Sequence, residues 1–180
     1  GTYAVIARAG SVEASAQVSV RANEAPTVAV AARAVPNPVT GTQTQLSVLG
    51  ADDGGEAALT YTWSAEGTPP APVAFSGNGA NADKSVTATF SKAGTYPLQV
   101  AIRDAGGLTA RSAVTVTVRS AAAAVAVTPA ALELPLRQSA AFSASVLDQF
   151  GEPLTPQPSL SWSVPSEAGT ISPEGVFTAS

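Results

Sequence analysis

The sequence predicts an all-β protein, built as β-sandwiches of short antiparallel strands in series. Valine, threonine, alanine and serine dominate alongside 15 Gly and 14 Pro in 180 residues, and no apolar run recurs at the period of a long helix. Tyr96, Leu98, Val100 and Ile102 alternate with small or polar neighbours, as do Val114, Val116 and Val118, which is the period of strands with one buried face. The turn sequence Asp104-Ala105-Gly106-Gly107 joins the two runs into a hairpin.

In chain order, Gly1-Thr2-Tyr3-Ala4-Val5-Ile6 opens with the same Gly-Thr-Tyr start as Gly94-Thr95-Tyr96, turns at Gly10, and returns as a second strand ending at Val20. Residues 1–20 read as the closing hairpin of a module, without the strands that would come before it. Arg21 to Ala25 is a polar linker, and Pro26 restarts an extended segment. Residues 25–118 hold a full set of seven strands: Val28 to Ala32, Gln45 to Leu49, Leu59 to Ala65, Val73 to Ser76, Ser85 to Phe90, Tyr96 to Arg103 and Ala110 to Val118. After a small-residue linker, residues 121–180 form another module. Its strands are expected at Val125 to Thr128, Ala140 to Leu147 and Leu160 to Val164, with a turn at Asp148-Gln149-Phe150-Gly151 and a final run from Gly169 to Ser180. The last two strands of this module are missing.

Seven strands at this spacing, with Trp63 on the third, resemble immunoglobulin-like sandwiches, which bury a tryptophan there. Tyr96 resembles the tyrosine corner that opens their penultimate strand. Residues 25–118 are similar to PKD-like and cadherin-like modules of bacterial extracellular proteins. The resemblance rests on Ala51-Asp52-Asp53-Gly54-Gly55, Leu59-Thr60-Tyr61-Thr62-Trp63 and Ala93-Gly94-Thr95-Tyr96. The acidic Gly-Asp-Gly that follows the tryptophan in typical PKD domains is replaced by Ser64-Ala65-Glu66-Gly67. Residues 121–180 resemble bacterial Ig-like modules of the invasin and intimin type, through Val127-Thr128-Pro129 and the run Gly169-Thr170-Ile171 to Phe177-Thr178-Ala179. In that family the run precedes a Gly-Thr-Tyr strand. The resemblance implies a secreted, extracellular or cell-surface structural protein: a fibre, stalk or adhesin shaft of immunoglobulin-like modules.

Composition removes other classes. Nine Lys and Arg against 13 Asp and Glu give a net charge of −4, and the basic residues are scattered, so no nucleic-acid partner is expected. No apolar run reaches membrane-spanning length, so no membrane insertion is expected. A start at Gly1 without methionine or signal peptide fits a processed or excerpted chain. With no Cys and no His there is neither disulfide nor thiolate site, and no serine has an imidazole to activate it. No enzyme and no cofactor are expected, calcium aside.

The calcium candidates are Asp52, Asp53 and Glu56, on the loop between the second and third strands of the 25–118 module, and Asp104 on the loop between its last two. In this fold both loops sit at the end facing the preceding module, where carboxylates of cadherin-like arrays hold Ca²⁺. The other reading is that Asp-Asp-Gly-Gly and Asp-Ala-Gly-Gly are simply turns. Pro69 to Pro72 and Pro153 to Pro158 read as rigid loop edges. A rival function is a noncatalytic accessory region of a secreted polysaccharide-degrading enzyme, touching carbohydrate through exposed aromatics. That reading needs a planar solvent-facing row, whereas Trp63 and Trp162 fall at core positions.

Read end to start, Gly175-Val176-Phe177-Thr178-Ala179-Ser180 runs on into Gly1-Thr2-Tyr3-Ala4-Val5-Ile6, so each terminus supplies what the other lacks. Tyr3, Val5, Ile6, Val18 and Val20, meeting Val176 and Phe177, are the expected interface between copies. At ~1.5–3 kcal/mol for each large side chain, the hairpin brings on the order of 8 kcal/mol gross. That is comparable to the whole ~5–15 kcal/mol stability of a domain, so residues 121–180 are not expected to fold well unaided. Reach disfavours closure within one chain: the termini of one sandwich lie roughly 35–40 Å apart, and a four-residue linker spans at most ~14 Å. The expected partner is another copy, head to tail, either as a tandem repeat or by strand complementation between separate chains; the other reading is an excerpt cut without regard to module boundaries.

Overall fold

Alternating apolar residues and frequent Gly and Pro leave little for helices to form from, and the computed structural model, which describes residues 1–180, is all-β. In chain order the strands are β1 (Thr2–Ala9), β2 (Val12–Ser19), β3 (Thr27–Val35), β4 (Gln43–Ala51), β5 (Thr60–Ala65), β6 (Ala74–Phe75) and β7 (Ser85–Thr89). They continue as β8 (Gly94–Arg103), β9 (Thr109–Val118), β10 (Ala122–Thr128), β11 (Ser139–Ala141), β12 (Ser143–Asp148), β13 (Gly169–Ile171) and β14 (Val176–Ala179). Two short 3-10 turns, Glu56–Ala58 and Asn81–Lys84, complete the regular structure. No helix is long and apolar enough to cross a membrane.

Residues 27–118 form a two-layer sandwich. One sheet has the order β3-β4-β7-β6 and the other β5-β8-β9. The alternation in the sequence becomes the core: Leu46 and Val48 from β4, Tyr61 and Trp63 from β5, Val86 and Ala88 from β7, and Tyr96, Leu98, Val100 and Ile102 from β8 are all buried. Trp63, only 2% exposed, is the expected anchor. Its indole Nε1–H donates to the Asp83 carbonyl at 2.9 Å, so burying the ring leaves no polar atom unpaired. Tyr96 makes the expected corner: its hydroxyl donates to the Lys92 carbonyl at 2.8 Å, and its ring packs on Phe90 with centroids 4.7 Å apart. Beyond β3 the chain crosses to the other layer, where Val39 bridges Val118 in parallel, donating to Thr117 and accepting from Arg119. Gly50 is fixed by close approach, since a Cβ there would stand 2.7 Å from Leu59 Cδ1 and 2.9 Å from Ile102 Cγ2.

On both outer edges of the β5-β8-β9 sheet an asparagine side chain continues main-chain pairing, that of Gly79 and Ala80 with Tyr61 on β5 and that of Val39 along β9. Asn78 Oδ1 accepts from the Trp63 amide at 2.6 Å and its Nδ2 donates to the Trp63 carbonyl at 2.8 Å. Asn37 does the same on β9, accepting from Thr117 N at 3.0 Å and donating to Thr115 O at 2.8 Å. An amide carries one donor and one acceptor side by side, the pattern a neighbouring strand presents, so each asparagine occupies pairing groups that would otherwise recruit another chain.

Residues 121–180 are organised differently. They form a two-stranded sheet, β10-β12, and a three-stranded sheet, β11-β14-β13. The run expected as one strand from Ala140 to Leu147 is split at Phe142 into β11 and β12. The strand expected at Leu160 to Val164 is absent: these residues pair with no neighbour. The reason is topological. In the 27–118 sandwich the corresponding strand, β5, is held by β8 along its length, and residues 121–180 contain no strand in that place. The core is correspondingly thin, with Val146 the one buried apolar side chain after Val118.

Candidate functional site

Two exposed apolar surfaces stand out. The first is the β1-β2 hairpin, in which Tyr3 faces Val18, Val5 faces Ala16 and Ala9 faces Val12. The ladder extends to Gly1 and Val20, whose main chains exchange hydrogen bonds of 2.7 and 2.8 Å. Every residue of both strands is exposed. Strand alternation puts Tyr3, Val5, Ala7, Val12, Val18 and Val20 on one face, with Tyr3 63% and Val12 70% exposed. The opposite face is mostly polar, carrying the Arg8–Glu13 ion pair at 2.7 Å and the Thr2–Ser19 hydroxyl contact. Ile6, named with Tyr3 and Val5 in the sequence reading, lies on this second face opposite Ser15.

The second surface is an apolar cleft of about 300 Å³ in residues 142–177, lined by Phe142, Trp162, Val164, Ala168, Ile171 and Phe177. It opens beside the unpaired residues 160–164. Phe177 on β14 lines it, and its neighbour Val176, 41% exposed, alternates to the other side of the strand. Trp162 is thus half-buried rather than enclosed like Trp63. Local sequence does not announce that Phe142 and Ile171 share this lining, which depends on how β11, β13 and β14 associate.

Of the four carboxylates expected for calcium, Glu56 and Asp104 are engaged by protein donors. Glu56 accepts from Lys84 Nζ at 2.9 Å, Tyr61 Oη at 3.0 Å and Asn81 Nδ2 at 3.2 Å. The Lys84 ammonium is the main reason its carboxyl lies below its ordinary value. Asp104 accepts from Asn23 Nδ2 and from the Leu108 amide, both at 2.8 Å. Burial pushes this carboxyl up, but the hydrogen bonds from Asn23 and the turn amides outweigh it and hold it low. Asp52 Oδ2 accepts from the Gly54 amide, while its buried Oδ1 has no partner. Asp53 lines a polar crevice with Gly1, Val20, Arg21 and Glu24 at the foot of the hairpin. No three acidic side chains form a group able to hold a metal ion.

The linkers are clamped by aspartates in turns. Asp104 takes Asn23 from the linker after the hairpin, as above. Asp148 takes Ser120 Oγ at 2.9 Å, and also accepts from the Phe150 and Glu152 amides at 2.8 and 3.0 Å. Burial again raises this carboxyl, and the amide bonds win and lower it. Gln149 of the same turn reaches back, donating to the Arg119 and Gly41 carbonyls and accepting from Ala121 N. Phe150 packs against the core of the 27–118 sandwich. The junction after residue 118 is therefore a built contact with an aromatic plug, which sequence alone presented only as a turn.

Two facing antiparallel sheets, a tryptophan in the third strand, a first segment shared between layers and a tyrosine corner define an immunoglobulin-like sandwich. The family described as PKD domain matches residues 27–118, a little over half of the chain, and the chain belongs to that family. No curated protein matches. Among solved structures, the chain is similar to the PKD domain from KIAA 1837 protein, with 21% identity and a TM-score of 0.35, over 51% of this chain and 87% of that one. It is also similar to domains 1-6 of the surface layer protein SbsC, at 16% identity and TM-score 0.38, over 86% of this chain and 20% of that one. For SbsC domains 4-9 the values are 16% and 0.39, over 99% of this chain and 30% of that one. The chain thus spans less than a third of the surface-layer structures. No catalytic domain is among these matches.

Proposed function

We propose that this chain is an extracellular structural protein, a series of immunoglobulin-like modules forming a fibre, stalk or adhesin shaft. Residues 1–20 act as the closing hairpin of a bacterial Ig-like module, residues 25–118 as a self-contained PKD sandwich, and residues 121–180 as a bacterial Ig-like module that needs a hairpin from a neighbouring copy. The observation that carries the reading is a matched pair of unfinished surfaces: an apolar hairpin face exposed along its whole length and an apolar cleft beside an unpaired segment. Covering both removes apolar surface from water and gives the segment at 160–164 a ladder partner. The 27–118 sandwich contributes stiffness, with Asn37 and Asn78 on its edges and Phe150 packed against its core.

In this reading the aromatics of the sandwich serve the core. Trp63, Tyr61 and Tyr96 are buried and have no face to offer a sugar. Electron microscopy of the purified chain tests the proposal: linear assemblies are expected, and their loss when residues 1–20 are deleted. Dispersed single particles at all concentrations would overturn it. Retention on a polysaccharide matrix by such particles would move the reading to the carbohydrate-contacting accessory role.

A further inference from the structure

We infer the register in which the hairpin of one copy enters the next: Tyr3 seats on Phe177, and β1 lies antiparallel along Leu160–Val164 with position 7 opposite position 162. This inference rests on the proposed assembly and deepens it by naming the contacts.

The template lies within the same chain. Phe90-Ser91-Lys92-Ala93-Gly94-Thr95-Tyr96 carries its two rings six residues apart, and those rings touch in the 27–118 sandwich. Reading from Phe177 to Ser180 and on into Gly1-Thr2-Tyr3 gives the same spacing, with Phe177 and Tyr3 in the ring positions. Phe177 already lines the open cleft, and Tyr3 is already on the apolar face of the hairpin. The Tyr96 hydroxyl reaches the carbonyl four residues upstream; by the same count the Tyr3 hydroxyl reaches the carbonyl of Ala179 in the neighbour.

The ladder follows from the intact pairing of β5 with β8, in which Trp63 faces Val100, Thr62 faces Ala101 and Ala65 faces Leu98. Superposing Tyr3 on Tyr96 and Trp162 on Trp63 places Ala7 opposite Trp162, Arg8 opposite Ser161, and Val5 opposite Val164. Small Ala7 beside the large indole repeats the packing of unequal neighbours across a strand pair. Arg8 and Ser161 then fall on the outer face with Glu13, in contact with solvent. A slip by one residue would turn Tyr3 and Val5 outward, so the apolar pattern itself enforces the phase.

The test is disulfide mapping between copies, which the absence of native cysteine makes clean. Chains carrying Arg8→Cys alone are mixed with chains carrying Ser161→Cys alone and oxidised; any disulfide joining positions 8 and 161 is then intermolecular. The expected result is a covalent heterodimer formed several-fold more readily than in a parallel mixture of Ile6→Cys with Ser161→Cys, which reports a slip of two residues. Sedimentation of the unsubstituted chain is run alongside. Assemblies with equal or reversed disulfide yields would overturn the register and leave the assembly standing. A monomer with no disulfide above the level of random collision would overturn both.

Discussion

Replacing Asn78 with alanine tests whether a single side chain stands in for a strand. Its amide accepts from Trp63 N at 2.6 Å and donates to Trp63 O at 2.8 Å, next to the main-chain bonds that Gly79 and Ala80 make with Tyr61 on the same edge of β5. Each hydrogen bond contributes about 1 kcal/mol net, and a partly buried group left unpaired costs about 1–3 kcal/mol. The substitution should therefore destabilise the 27–118 sandwich by roughly 2–4 kcal/mol. For a domain of this size each kcal/mol lowers the melting temperature by about 4–8 °C, so a fall of roughly 10–25 °C is expected. Asn78→Asp is the sharper probe. Its carboxylate still accepts from the Trp63 amide but faces the Trp63 carbonyl without a proton to donate. Protonation restores the missing donor, so the folded-state pKa of the introduced acid is raised. The bond is then present below its unfolded pKa and lost as pH rises through the folded one. Calorimetry of the whole chain and hydrogen exchange at the Trp63 amide read both effects. A melting temperature within two or three degrees of the parent for both variants, with Trp63 still protected, would mean that this edge does not depend on Asn78.

Other outcomes follow from the same geometry. Gly50→Ala places a methyl 2.7 Å from Leu59 Cδ1 and 2.9 Å from Ile102 Cγ2 and should cost about 1–3 kcal/mol in denaturant unfolding, as overpacking does; an unchanged midpoint would mean the two side chains have room to move. Asp104 and Asp148 are held below their ordinary value, so their contribution is complete above about 3.9, the unfolded value, and fades as pH falls through their lowered folded values. Asp148→Asn should therefore be less stable than the parent near neutral pH, with the gap closing in acid; a gap independent of pH would count against this. Glu56 and Asp104 are already engaged by protein donors, so added calcium should leave the melting curve in place, and a calcium-dependent rise would show that the acidic loops do take the ion.

Alternation made the central hairpin legible: the residues that alternate in β8 and β9 are those that enter the core, and Trp63 and Tyr96 occupy the positions that local pattern assigns them. What stayed hidden depends on contacts far apart in sequence. Asn78 reads as a loop residue between glycines, and only the fold brings its amide to Trp63, 15 positions away. Phe150 reads as part of a turn, but it packs on the sandwich formed by residues 27–118. Leu160 to Val164 has the pattern of a strand and forms none, because pattern fixes which face is apolar and only a neighbour provides the ladder. The four acidic residues share a chemistry, but Lys84, Tyr61 and Asn81 claim Glu56, and nothing in local sequence announces that pairing. On the hairpin, the phase of alternation separates Ile6 from Tyr3 and Val5 once β1 and β2 are in register.

Hydrogen exchange at the main-chain amides of residues 160–164 reads the central claim at the atoms involved. In a concentrated solution of residues 1–180 these amides should exchange slowly, and they should exchange rapidly once residues 1–20 are removed, with the 27–118 sandwich equally protected in both. Rates at 160–164 that are the same with and without the hairpin would contradict the account.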